Sequence, residues 1–202
     1  MAPEEALRTD PARTSRPEAR RSRLRRAGAA VVHRWPTLVA LAWAITTLSD
    51  LDDGTEFAFV LVLAAVGYLA VTVLQRPRAT WPLLVVLIVA VVALRVLGVD
   101  ERAVMLALGG VLLLVGLVQG SLRRPGPPRL QVPGALVFVG VGILGTTVSP
   151  DVGLYIVAAG LLAHAAWDLY HWQQDRIVVR SFAEWCGVLD LTLGVGILVL
   201  LA

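Results

Sequence analysis

Lysine is absent from this chain: all 18 basic residues are arginine. A retinal-type Schiff base needs a lysine amine, so that use of a helical membrane bundle is excluded. Cysteine is almost absent as well. Cys186 stands alone, which rules out an internal disulfide and says little about redox compartment. Charged residues are scarce, at 16%, and long stretches carry none. The chain also lacks a phosphate-cradling glycine loop, a Ser/His/Asp hydrolase motif and a dinucleotide fingerprint. The pair Gly109-Gly110 lies inside an apolar run and reads as helix packing. The usual signatures of soluble catalysis are missing.

What the chain has in excess is apolar sequence, 57% of its residues. About 20 helical residues cross the ~30 Å hydrocarbon core of a bilayer. On that measure seven candidate spans follow, at 35–49, 57–74, 81–97, 103–118, 132–148, 152–172 and 182–202. The expected fold is therefore all-α: a polytopic transmembrane helical bundle, residues 35–202, behind a basic tail at 1–34. The first span is the weakest. The clearest linker is 121–129, punctuated by Pro125, Gly126, Pro127 and Pro128.

Charge sets the expected orientation. Nine arginines lie in the tail, and two, three and two more follow the second, fourth and sixth spans. The other loops carry Asp50, Asp52, Asp53, Glu56, Asp100, Glu101 and Asp151, with Arg102 as their basic residue. Positive charge collects on the cytoplasmic side of membrane proteins. The N-terminus is thus expected in the cytoplasm and the C-terminus outside, in the cytoplasmic (inner) membrane. Omitting the first span would put nine arginines on the wrong side. The net charge of +3 then reflects topology, and nucleic acid is not an expected partner. The bilayer is. The tail is expected to be partly disordered, with Arg20–Arg26 forming a basic helix on anionic lipid. A twin-arginine signal fits poorly, for want of its flanking pattern and a cleavage site. Trp35, Trp81, Trp172 and Trp185 are expected in an interfacial belt at the cytoplasmic ends.

Against this background, His164, Asp168 and His171 sit inside the sixth span, and Asp190 inside the seventh. Ionisable groups at membrane depth are costly and usually face a bundle interior or cavity. At 100° per residue, Asp168 and His171 lie about +40° and −20° from His164, so the three share one stripe. The 1.5 Å rise puts His164 and Asp190 at similar depth, with His171 about 10 Å nearer the cytoplasmic rim. Asp175 extends the stripe into the cytoplasm, and Gly160 continues it outward. Ala183, Gly187, Asp190 and Gly194 share a small-residue face that suits close approach to the sixth span. A short turn makes the two helices neighbours.

Three readings of this group stand side by side. His164, Asp168, His171 and Asp190 suit a divalent metal such as zinc or iron, with Glu184 placed to support a ligand. A bound ion would activate water for hydrolysis of a lipid-like substrate arriving from the bilayer. A His–Asp chain equally suits proton relay in a small transporter. The bland reading is that His164 and Asp190 bond only to hold two helices together, which leaves a non-catalytic membrane protein. Whether the chain is an enzyme stays open.

The pattern His164-x-x-Trp167-Asp168-x-x-His171, followed by Ser181, Cys186 and Asp190, resembles the C-terminal portion of small bacterial integral membrane proteins of unknown function. The Ala-, Val- and Arg-rich, lysine-free composition is similar to chains from high-GC, actinobacterial-like bacteria. The resemblance covers about 155–202 and implies a shared buried polar cluster without an activity. A looser similarity is to seven-span hydrolases that bind zinc through His and Asp. The chain departs from them in showing no ionisable ligand at depth in the first five spans, Arg95 being unable to ligate. Arg95 is expected to pair with Asp100 or Glu101. Thr46, Thr47 and Ser49 are expected to bond back to helix carbonyls, and Cys186 to be a small buried apolar residue.

Overall fold

The computed structural model describes residues 34–49 and 56–202. The basic helix expected at Arg20–Arg26, the rest of the tail, and Asp50, Asp52 and Asp53 lie outside the described residues. Those described form α1 (Trp35–Ser49), α2 (Glu56–Leu74), α3 (Thr80–Val96), α4 (Glu101–Val118), α5 (Pro127–Thr147), α6 (Pro150–Gln174) and α7 (Arg180–Leu200). Short 3-10 turns occur at Pro77–Ala79 and Ser121–Arg123, and no strand occurs among the described residues. The fold is all-α. Six helices, α2 to α7, are long and apolar enough to cross a membrane. At 15 residues α1 is shorter, about 22 Å at the usual helical rise.

Local chemistry explains where the helices start and stop. Asp100 caps α4, its Oδ1 accepting from the backbone N–H groups of Arg102 and Ala103 at 2.9 and 3.2 Å. Pro127 and Pro128 form the first turn of α5, where a missing N–H leaves no bond unmade. The stretch expected as linker therefore gives up its last residues to a helix. Asp175 closes α6 in the left-handed region, with φ of 49°. Its carboxylate lies 3.3 Å from Arg180. Arg95 donates to Glu101 at 2.9 Å, an exposed pair. Thr46, Thr47 and Ser49 all bond to carbonyls three or four residues back.

Packing centres on α2, which touches α3, α4, α5 and α6 and is 72% buried. The most extensive pairing is α6 with α7. A Cβ on Gly187 would lie 3.2 Å from Asp168 Cβ, and one on Gly194 would lie 3.1 Å from the Ala158 carbonyl oxygen. A side chain at either glycine would make the neighbouring helix give way, so the two glycines help bring the polar residues of the two helices into bonding range. The α1 helix runs parallel to α7: Thr37 donates to Glu184 at 2.5 Å, and Leu48 lies against Gly196. Gln75, Arg124 and Arg176 line one cavity, so the arginine-bearing ends of α2, α4 and α6 meet on the same side. Trp185, near the start of α7, faces into the bundle. It is buried, edge-on to Trp43 and Trp81, because α1 and the start of α3 close over it.

Candidate functional site

His164 lies at the centre of the polar group. Its Nδ1 is 2.6 Å from Asp190 Oδ2 across the α6–α7 contact and 3.1 Å from Asp168 Oδ2 one turn along α6. An imidazole has a single hydrogen on that nitrogen, and the shorter contact takes it. Asp168 Oδ2 is left near His164 with no hydrogen-bond partner, and so is His164 Nε2 on the far side of the ring. Phe138 from α5 packs edge-on against that ring at 4.6 Å between centroids. His164 and Asp168 are fully buried and Asp190 nearly so, at 0%, 0% and 2% exposure. Buried polar atoms without partners are few in native proteins and ask for an explanation, an ion among them.

The other oxygen of Asp168 is satisfied from a distant helix. Tyr68, in the middle of α2, donates its hydroxyl to Asp168 Oδ1 at 2.5 Å. Tyr68 also packs edge-on to His164 and His171, with centroids 5.8 and 4.9 Å away. Tyr68 is not among the residues expected at the site, and the single legible signal for it is a hydroxyl-bearing ring within an apolar span. Thr72, one turn further on, bonds back to the Tyr68 carbonyl.

His171 occupies a different environment. Its Nδ1 donates to the Trp167 carbonyl oxygen at 2.9 Å, and its Nε2 lies 2.8 Å from Gln131 Nε2. A carbonyl accepts only, so Nδ1 carries the hydrogen and Nε2 accepts from the Gln131 amide. That amide also donates to the Pro127 carbonyl oxygen at 3.3 Å. His171 is not a surface group at a helix end: α5 covers it and its exposure is 0%. Gln131 falls just outside the span expected at 132–148, so the apolar pattern does not mark it. Trp167 closes the same region, with its ring over Gly134, where a Cβ would come within 2.7 Å of it.

The structure thus brings together His164, Asp168 and Asp190, whose ligand atoms lie within 4.8 Å of one another, and sets His171 beside Gln131. Glu184, expected to support a ligand, accepts instead from Thr37 on α1. Cys186 is buried one turn before Asp190. No family model, curated protein or solved structure matches this chain.

Three donors fit a small divalent ion in kind and in reach. Zinc takes imidazole nitrogen and carboxylate oxygen at about 2.0–2.2 Å, which sets tetrahedral neighbours about 3.4 Å apart. His164 and Asp190 would have to separate by less than about 1 Å from their present contact to reach that spacing. The same groups also form a line of close polar contacts, hydrogen-bonded from Tyr68 to Asp168 and from His164 to Asp190, with Asp168 and His164 3.1 Å apart between them.

Proposed function

We propose that this chain is a seven-span protein of the cytoplasmic membrane whose His164–Asp168–Asp190 group binds a divalent cation between α6 and α7. The observation that carries the reading is the buried, unpartnered Asp168 Oδ2 beside the Asp190 carboxylate. Two carboxylates and one imidazole hydrogen leave an acceptor unserved in a layer where water is scarce, and a cation serves all three groups at once. Once bound, such an ion supplies Lewis acidity and an activated water. Around it Tyr68 holds Asp168 in orientation, while Gln131 fixes the ring of His171. Supporting partners of this kind orient the ligands of metal sites.

Counting α1 as the seventh span is supported by its parallel course beside α7 from Thr37 to Leu48. The meeting of Arg124 and Arg176 at one end supports a cytoplasmic placement for that end. A reporter fused after Ala202 that works only outside the cytoplasm should be active, and an inactive one would reverse this orientation.

Metal analysis of the detergent-purified protein tests the main reading. About one ion per chain is expected, lost in both His164→Gln and Asp190→Asn at unchanged yield. A metal-free wild type removes the reading. The line Tyr68–Asp168–His164–Asp190 favours proton relay as the second one, and it predicts solute uptake into proteoliposomes whose pH dependence disappears in Asp190→Asn. If both substitutions lower stability and change nothing else, the group only packs helices.

A further inference from the structure

An elongated cavity touches the polar group from one side. It holds about 140 Å³ and follows α2 from Phe57 to Val71, with α1, α3 and α7 as its remaining walls. At 1.5 Å per residue that course is about 21 Å long. A compact apolar cavity of about 150 Å³ takes a benzene ring. The same space drawn out along a helix takes a chain segment of about six to eight carbons, so a longer chain would project from its mouth towards the lipid. The walls are apolar almost throughout, and the polar side chains on them are mostly committed. Thr47 bonds to the Trp43 carbonyl and Thr80 to that of Pro77. Among the lining residues Asp190 is the single carboxylate, and it marks where the cleft reaches the His/Asp group.

The cleft also lies where lipid can reach it. The helix α3 forms one wall with Leu84 and Leu87 but is only 17% buried, with Val85 and Val89 exposed on its outer face. Trp81 ties the start of α3 to α7, its indole N–H donating to Ser181 at 3.0 Å, and Phe182 and Trp185 pack on the same indole. An aromatic cluster thus closes this end of the cleft.

We propose that the cleft takes the chain of a single-chain amphiphile drawn laterally from the bilayer, its polar head meeting Asp190, and that this is the substrate class of the site. The proposal rests on the ion-binding reading for the word substrate, while the chain-binding itself stands on the cleft alone. Apolar pockets with a few convergent polar groups are the usual form of small-molecule sites.

The test uses the full chain in nanodiscs containing a diazirine-labelled alcohol of about eight carbons, matched to the volume of the cleft. After photolysis, adducts are mapped by mass spectrometry. Adducts are expected on Gly67, Leu84 and Leu189, falling at least about tenfold in Gly67→Leu. A Cβ at Gly67 would meet only Leu87 Cδ1 at 3.9 Å, an ordinary contact, so the backbone there admits a side chain that grows into the cleft. Ala64→Leu fills the same cleft and gives the same readout should Gly67→Leu not fold. The alcohol should label the wild type more than the matching hydrocarbon, a preference lost in Asp190→Leu. Adducts that persist in the filled variants, or that fall only on the outer faces of α3 and α4, overturn the proposal. Asp190→Asn separates the two readings: it should lose the ion and keep the adduct on Leu84. A metal-free wild type with cleft adducts removes the ion reading and leaves the chain site standing.

Discussion

The helices α2 and α3 are both strongly apolar, yet α2 is 72% buried and α3 only 17%. In water the more apolar helix is usually the more buried one. In lipid the hydrocarbon is as apolar as leucine, so association depends on close packing and interhelical hydrogen bonds. The composition of α2 meets both needs, with Ala58, Ala65 and Ala70 in the core and Tyr68 donating to α6. The lipid-facing wall of α3 is mostly valine, including Val85, Val86, Val89 and Val92. The α6–α7 pair repeats the lesson more sharply. Among the described residues it carries the buried His and Asp side chains, and it packs tightly through Gly187 and Gly194. Hydropathy places a helix in the bilayer; small and polar residues place it in the bundle.

Substitutions in the two regions should differ accordingly. The largest effect is expected from His164→Ala, which leaves two buried carboxylates facing each other. Breaking such a group costs about 3–5 kcal/mol, read as a large drop in the apparent melting temperature of the ion-free protein. Adding Asp190→Asn to that variant should recover part of the loss. Next comes Gly187→Leu, which forces α6 and α7 apart at Asp168 Cβ. Overpacking there should cost about 1–3 kcal/mol, whereas Gly110→Leu on α4, with nothing within 4 Å of its Cβ, should leave melting unchanged. Equal effects at the two glycines would end the contrast between the regions. Tyr68→Phe keeps the ring and removes the bond to Asp168, for about 1 kcal/mol, and in the ion-binding reading it should weaken metal affinity about 10-fold. The smallest effect, at most about 1 kcal/mol, belongs to Arg95→Gln, which loses an exposed pair with Glu101. High salt should mask that change and leave the other three intact.

Much of this architecture is local and therefore legible. Apolar runs define the helices, and proline, glycine and the Asp100 cap mark their ends. His164 and Asp168 meet because four residues make about one turn. Their approach to Asp190 was readable too, since a short turn and a glycine face leave α7 few other places to lie. The bond from Tyr68 to Asp168 spans 100 residues, and that from Gln131 to His171 spans 40. No periodicity encodes either of them.

The sequence by itself determined an all-helical, strongly apolar chain whose arginine-rich loops alternate, and it put His164, Asp168 and His171 on one stripe. Those properties follow from helix pitch and from the energy of burying charge in lipid. Only the tertiary structure decided that His171 belongs with Gln131, that Tyr68 completes the environment of Asp168, and that a cleft along α2 reaches Asp190. Each depends on which helices touch. In a bilayer that is settled by small differences in packing, to which a one-dimensional pattern of apolar residues is nearly blind.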